Sequence, residues 1–272
     1  PAAVRMRSIS AREGGYLTVL RGARDLEATG GFNVLGGHAP RSTVEFSLDS
    51  DIGDKAAQVS FKLDDVDARD LAGQTVALAW LDALRAPISG AMRGSLTETG
   101  ALGPVSGTLH IGEGVLQPTD KTRPIPFRKA HSYFEFSPAT RTLRFDELAV
   151  DSDWGTGTAT GVAYLDVHEN GGLDELIGQF EFTGLVLNPA DIYPAPLELS
   201  GASTDFRLEL DPFRFTLGQL SVSQGETDLL LSGAVRAVAE GWNIALDAQV
   251  NEITVERAIS FWPLPVASEG RA

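Results

Sequence analysis

Two short acidic stretches carry alternate carboxylates, the spacing with which calcium-binding loops begin. They are DSDIGD from Asp49 and DSDWG from Asp151. In a calcium loop, alternate carboxylates converge on one hard cation, and a bidentate glutamate further along completes the coordination. Neither stretch supplies that glutamate. Because Asp and Gly are also the residues that hairpin turns favour, the sequence indicates turns rather than cation sites.

The other residues capable of chemistry lack the partners that a reaction needs. Paired carboxylates in DDVD from Asp64 suit a glycosidase, but they end a strand-like run and are expected to be solvated, with nothing to raise a pKa. The sequence contains no G-x-S-x-G, no phosphate loop, no dinucleotide fingerprint and no cysteine. We therefore predict no enzymatic activity, no metal site and no cofactor. The histidines lie far apart in unlike contexts, without a partner at metal-ligand spacing: His38, His110, His131 and His168.

The charge balance restricts the classes of partner. The chain has 22 Lys and Arg against 37 Asp and Glu, a net charge of −15. Binding a nucleic-acid backbone needs a basic face, so nucleic acid is excluded as a partner, and adhesion to an anionic membrane through charge alone is disfavoured. No stretch approaches the ~18 apolar residues of a membrane span. No apolar signal region follows Pro1, and we expect the chain to be a segment of a longer protein.

The spacing of apolar residues predicts antiparallel strands with one apolar face. The clearest run is WNIALDAQV from Trp242, in which apolar and polar residues alternate. The alternation slips across 146–147 and again across 218–219, which predicts a bulge or tight turn at both points because the apolar face must return to one side. TVALAWLDAL, residues 75–84, has helical spacing instead, and Pro87 prevents its continuation.

The chain also repeats itself. Sliding the sequence along itself places Phe134 on Phe206, and a longer shift places Met6 on Phe145. The matches continue in order and predict three copies of one β-meander. The second and third copies close alike, in ADIYPAPL and AISFWPLP, where an aromatic residue is followed by proline. The copies span about 4–72, 124–194 and 196–263, with an insert of helix and strands at about 73–123.

A stripe of large apolar residues runs through the second and third copies. One interpretation is the ordinary core between two packed sheets, which the alternation alone favours. The other is a single bent sheet whose apolar face encloses acyl chains. A closed core mixes large and small residues to interdigitate, whereas a lipid-filled trough tolerates large ones throughout, so the abundance of phenylalanine favours the trough. The residues expected to line it are Phe134, Phe136, Leu143, Phe145, Leu148, Val150, Phe180, Phe182, Phe206, Leu208, Phe215, Leu217, Leu220, Val222, Trp242, Ile244 and Leu246.

Several stretches carry a resemblance to a known family. They are LDALRAPISG from Leu81, GTLHIGEGVL from Gly107, PIPFRKA from Pro124, LRFDELAVDSDWG from Leu143 and AISFWP from Ala258. Together they resemble the central region of AsmA-like proteins of the YhdP type, which are related to TamB, most strongly over residues 75–263. The motifs are rhythmic rather than catalytic, and no invariant functional residue carries over.

This resemblance implies a large envelope protein of Gram-negative bacteria, anchored in the inner membrane by parts outside this segment and extending through the periplasm. It implies a repeating β-groove that shields phospholipid acyl chains between the inner and outer membranes. The alternative is a structural spacer, a sandwich or solenoid that binds nothing. We therefore predict an all-β fold for residues 1–272, a single elongated, twisted antiparallel sheet curved into a groove, with a few short helices.

Overall fold

The part of the chain that the structure describes is built mainly of strands, as predicted. The computed structural model describes residues 5–11, 14–34, 42–188, 196–199, 202–224, 227–239 and 241–250. His38 and the aromatic-proline ends of the copies, at 190–195 and 258–265, lie outside these residues. The elements are β1 (Arg5–Ala11), β2 (Gly15–Arg21), β3 (Asp25–Val34), β4 (Ser42–Asp51), β5 (Ala57–Asp67), α1 (Ala68–Ala72), a 3-10 helix (Val76–Ala83), β6 (Leu84–Arg85), β7 (Pro87–Leu96), β8 (Leu102–Ile111), β9 (Gly114–Leu116), β10 (Ile125–Ser137), β11 (Thr142–Ser152), β12 (Gly155–Val167), β13 (Leu173–Leu187), β14 (Leu197–Leu199), β15 (Ala202–Leu210), β16 (Phe213–Gln224), β17 (Thr227–Val238) and β18 (Gly241–Val250).

All of these strands belong to one open antiparallel sheet. Each long strand pairs with the next long strand along the chain, from β1 to β18. The short strands continue interrupted neighbours: β9 pairs with β10 beyond the end of β8, and β14 pairs with β13 beyond the end of β15. Hairpins therefore set the register of nearly the whole sheet.

The predicted slips in alternation are bulges, so this prediction is confirmed. The register between β11 and β12 shifts between Phe145 and Leu148, across the first slip. The register between β16 and β17 shifts between Leu217 and Leu220, across the second. At both points the extra residues turn the following apolar side chains back to the original face.

Two short helices interrupt the strands after β5. The predicted helix at 75–84 is a 3-10 helix, whose first turn is capped by the Thr75 hydroxyl accepting a bond from the Ala77 N–H at 3.3 Å. The other helix, α1, was not predicted, and Asp67 caps it by accepting a hydrogen bond from the Arg69 N–H at 2.9 Å. Asp67 is buried, so the expectation that all of DDVD is solvated is wrong. Its carboxylate stabilises the exposed N–H groups of a helix start.

The two rims of the curved sheet are joined across the groove by a loop. Strand ends form a lower rim, which includes the β9–β10 loop and the β11–β12 turn, and an upper rim, which includes the β12–β13 and β17–β18 turns. The indole N–H of Trp242, at the upper rim, donates to the backbone oxygen of Arg123, at the lower rim, over 2.7 Å. The Thr122 hydroxyl donates to the backbone oxygen of Val238 over 3.4 Å. The β9–β10 loop thus contacts the ends of β17 and β18, which are far from β10 in the sheet, so the sheet is curved and its apolar face lies inside a groove.

Candidate functional site

The candidate site is the inner face of the curved sheet. Residues directly opposite each other in the ladders share a face, so rows of side chains run across the strands and along the groove. One such row passes from Phe46 and Phe61 through Phe134 and Phe145 to Phe180. The register places the predicted lining residues on this face. For Leu246 the backbone shows this, since Leu246 pairs with Gly233.

The groove floor also extends further than the sequence analysis proposed. Strands β2 to β8 contribute the same kind of apolar face. The sequence analysis did not predict it, because the predicted stripe of lining residues ran only through the second and third copies. The signal was present in the sequence as strict alternation in TVEFSLD and VSFKL. The additional floor residues are Leu17, Val19, Phe32, Val44, Phe46, Leu48, Val59, Phe61, Leu63, Met92, Val105, Leu109 and Ile111.

Phenylalanine rings lie over glycines of the neighbouring strand. A Cβ added to Gly178 would stand 2.9 Å from the Phe206 ring, and one added to Gly107 would stand 3.1 Å from Phe134. Each of these glycines is directly opposite its phenylalanine in the ladder. A strand glycine marks a place where something must approach closely. Here it lets a ring lean over the neighbouring strand and approach its backbone closely.

The rings join into a continuous aromatic path along the groove. Ring centroids are 5.5 Å apart between Phe145 and Phe180, 4.7 Å between Phe180 and Phe206, and 5.9 Å between Phe206 and Phe215. These spacings are those of favourable aromatic pairs. All four residues belong to the same sheet, so the rings pack sideways on one floor and not against a facing sheet.

The presence of both large and small residues does not distinguish a closed core from a lipid-filled trough in this sheet. The floor does mix large and small residues, Phe with Gly, which was expected of a closed core. The mixture arises because neighbours within one sheet interlock. Exposure is the better discriminator: among the groove residues Phe32 is 48% exposed, Phe61 45% and Ile244 51%.

Within the described strands from β4 to β17, no charged side chain lies in the middle rows of the floor. Its polar groups there are two hydroxyls. That of Thr204 donates to the backbone oxygen of Asp205 at 3.1 Å, and that of Ser132 has no hydrogen-bond partner. An apolar chain lying on this floor would therefore meet no buried ion.

Charges concentrate on the outer face. Arg144 pairs with Glu135 at 2.7 Å, with both side chains about half exposed, and the half-exposed Arg207 pairs with the more buried Glu175 at 3.6 Å. Exposed pairs of this kind stabilise a fold by about 0–1 kcal/mol. The outer face is thus an ordinary solvated surface, and the asymmetry between the two faces is the main chemical feature of the sheet.

Both acidic stretches form turns, and the second has a cation partner within the chain. The guanidinium of Arg128 donates to Asp151 at 2.8 Å and to Asp153 at 2.9 Å. This hydrogen bond from Arg128 lowers the pKa of Asp151 below its usual value. DSDIGD likewise forms the β4–β5 turn, with Gly53 at a φ of 96° that favours glycine. Both stretches therefore have a structural explanation as turns.

The histidines were expected to lie apart, and for one pair this is wrong. His110 and His131 are directly opposite in the β8–β10 ladder, with ring centroids 6.0 Å apart. His131 also contacts a Glu147 carboxylate oxygen at 2.5 Å. Hairpin register, which sequence distance hides, brings them together. In the part of the chain that the structure describes, no group of three acidic or histidine side chains is placed to hold a metal ion.

A helical bridge, residues 68–83, crosses from the lower rim to the upper rim. Its Leu81 is 5% exposed and packs on Leu63, Val66 and Ile88 of the floor. Its other contact is with the β12–β13 turn, where a Cβ on Gly172 would lie 2.9 Å from the Val76 Cγ1 atom. The helical bridge therefore covers the part of the groove that lies next to the lower rim, at the ends of β5 to β8.

A loop bridge, residues 117–124, makes a second crossing. It is stiffened from within, because the Gln117 amide donates to the Thr122 backbone oxygen at 2.8 Å and the Thr119 and Thr122 hydroxyls are 2.7 Å apart. Thr122 is buried. This loop carries the rim-to-rim bonds to Val238 and Trp242, so Trp242 ties the rims together in addition to its place on the apolar face.

Within the described residues, no helix has the length and apolar character needed to span a membrane. Comparison of the chain with known protein families, with curated proteins and with solved structures finds no match.

Proposed function

We propose that this chain is a segment of a bridge-like lipid-transfer protein that shields phospholipid acyl chains in its groove. The observation that carries the proposal is the continuous, uncharged apolar floor on one side of an open sheet. Its residues range from buried, as at Leu220 and Val222, to about half exposed, as at Phe32 and Ile244. Burying apolar surface there releases about 25 cal/mol per Å², without a preferred direction. Such an interaction suits a ligand that slides.

The resemblance to AsmA-like proteins of the YhdP type supplies the proposed setting. In that setting the segment belongs to a periplasmic protein anchored in the inner membrane, and it carries phospholipid between the inner and outer membranes. It performs no chemical step. Head groups project from the groove mouth into water, which is consistent with a floor that offers them no charged partner in its middle rows.

A spacer that binds nothing is the second candidate, and one observation favours it. The helical bridge already covers Leu63, Val66 and Ile88, so part of the apolar floor is buried by the chain's own side chains. A spacer would have such covering along the entire groove. The exposed floor residues Phe32 and Ile244 favour the lipid-binding proposal instead.

Site-specific photo-crosslinking separates the two candidates. A photoreactive residue replaces Phe145, Phe182 or Phe215 on the floor, and in a matched control it replaces Tyr164 on the outer face. After expression in bacteria, we expect covalent phospholipid adducts at the floor positions and few at Tyr164, detected by mass spectrometry. Equal labelling at all four positions, or protein adducts alone at the floor, would leave the spacer as the better account.

A further inference from the structure

The helical bridge is anchored in a buried apolar cluster at one rim and reaches the other rim with an exposed tip. At the lower rim, the Ala68 N–H donates to the Ala86 backbone oxygen at 3.0 Å, and Leu81 is enclosed in the apolar cluster. At the upper rim, Val76 meets Gly172 while remaining 49% exposed. Residues 73–75, between α1 and the 3-10 helix, are exposed as well. The tip of the bridge, residues 73–76, is therefore its weakly packed part.

The groove continues beneath this tip. In the order of the sheet, β8, β10 and β11 lie between the strands that anchor the bridge and the turn that its tip touches. The floor residues there include Phe134, Phe136, Leu143 and Phe145, and each is only partly buried. The bridge thus leaves surface on this floor accessible, in contrast to Val66 and Ile88, which it covers.

We propose that the helical bridge is a head-group gate, an inference that rests on the proposed lipid-binding function. An acyl chain needs only the apolar floor and can lie under the tip. A phospholipid head group must travel along the mouth of the groove, which is the open side between the two rims. The contact between Val76 and Gly172 joins the rims and so closes the mouth at this point. A single-chain fatty acid therefore passes with the gate closed, and a phospholipid passes only when that contact breaks.

The absence of native cysteine allows a clean test with a disulfide. Val76→Cys with Gly172→Cys places two sulfurs across the mouth, where the contact between the two positions is compatible with the roughly 3.5–4.5 Å that a disulfide needs between Cβ atoms. The control is Ser47→Cys with Ser60→Cys, since these hydroxyls are 2.7 Å apart on neighbouring strands and do not cross the mouth. Both variants are made in this chain.

The readout is photo-crosslinking at two floor positions. Phe136 lies on β10, between the strands that anchor the bridge and the turn that its tip contacts, and Phe32 is a half-exposed floor residue on β3, away from the bridge. The probes are a phospholipid and a free fatty acid that carry the same fluorophore, supplied in vesicles of phosphatidylethanolamine and phosphatidylglycerol. With the disulfide formed, we expect phospholipid adducts at Phe136 to fall about tenfold or more relative to the reduced protein, because the open state is removed. Fatty-acid adducts at Phe136 and all adducts at Phe32 should stay unchanged.

Gly172→Ala provides an opposite perturbation without a disulfide. Its methyl group would press on Val76, so the closed contact should weaken and phospholipid adducts at Phe136 should rise. Phospholipid labelling at Phe136 that is the same in oxidised and reduced protein would overturn the gate and leave lipid binding intact. Loss of both lipids at Phe136 would also overturn it, because the bridge would then be a plug. No adduct at Phe32 or Phe136 in either redox state would instead refute lipid binding itself.

Discussion

The close fit between phenylalanine rings and glycines predicts a large effect of one added methyl group. Gly161 stands opposite both Phe145 and Phe180, whose rings meet above it at 5.5 Å. A Cβ at this position would overlap the Phe180 ring and the backbone oxygen of Gln179. In Gly161→Ala, the ring must move or the two strands must separate.

The size of the effect follows from the contacts that are lost. Overpacking a tight site costs about 1–3 kcal/mol. Displacing Phe180 also weakens its ring pairs with Phe145 and Phe206, each worth about 0.5–1.5 kcal/mol. We expect Gly161→Ala to lower the free energy of unfolding by about 2–4 kcal/mol. For a chain of this size, that corresponds to a fall in Tm of roughly 5–15 °C.

A matched control lies in β13. A Cβ on Gly184 would meet no atom within 4 Å, so Gly184→Ala should change stability by no more than about 0.5 kcal/mol. Both variants are compared with the unmodified chain by thermal and urea unfolding, followed by circular dichroism. Adding Phe180→Leu to Gly161→Ala should recover part of the loss. Equal Tm values for the two alanine variants would refute the argument that the rings need glycine beneath them.

Three further changes test the groove, the rims and the surface turn. Phe145→Asp places an ion on the apolar floor and should abolish phospholipid adducts at neighbouring floor positions and block passage in the full-length protein, whereas the same change on the outer face should not. Trp242→Phe keeps an aromatic ring but loses the indole N–H that donates to the Arg123 oxygen, and it should lower the free energy of unfolding in urea by about 1 kcal/mol. An unchanged unfolding midpoint would show that this hydrogen bond does not tie the rims. Since Arg128 lowers the pKa of Asp151, the pair stabilises the fold at neutral pH, and this contribution is lost as pH falls below about 4. Asp151→Asn should therefore narrow the difference in Tm between neutral pH and about pH 3, and an undiminished difference would contradict this assignment.

Much of the sheet could be predicted because its causes are local. Alternation of apolar residues predicts which side chains share a face, and the slips across 146–147 and 218–219 predict where the register shifts. Neighbouring strands are joined by hairpins, so no long-range choice of partner was needed. The helix at 75–84 was visible from its spacing and from Pro87. These features depend on residues that are close in sequence.

The bridges and the pairing of His110 with His131 could not be predicted in the same way. A small twist between neighbouring strands accumulates over many strands, and only the total brings Trp242 to Arg123 and Val76 to Gly172. No pattern of neighbouring residues in the sequence predicts this accumulated twist. The ring-over-glycine pairs were also missed, because a glycine in a strand-like run gives no sign of the residue opposite it.

The pairing of rings with glycines bears directly on how a groove can hold a ligand without fixing it. Side chains that stand upright on a sheet make pockets, and a pocket favours one position of a chain over others. Rings that lean over Gly107, Gly161 and Gly178 fill the space above these glycines and make the apolar floor more level, so that the positions of an acyl chain along it differ less in free energy. A level floor supplies affinity but no control over what moves along it. Control must then come from the mouth of the groove, which is where the helical bridge lies.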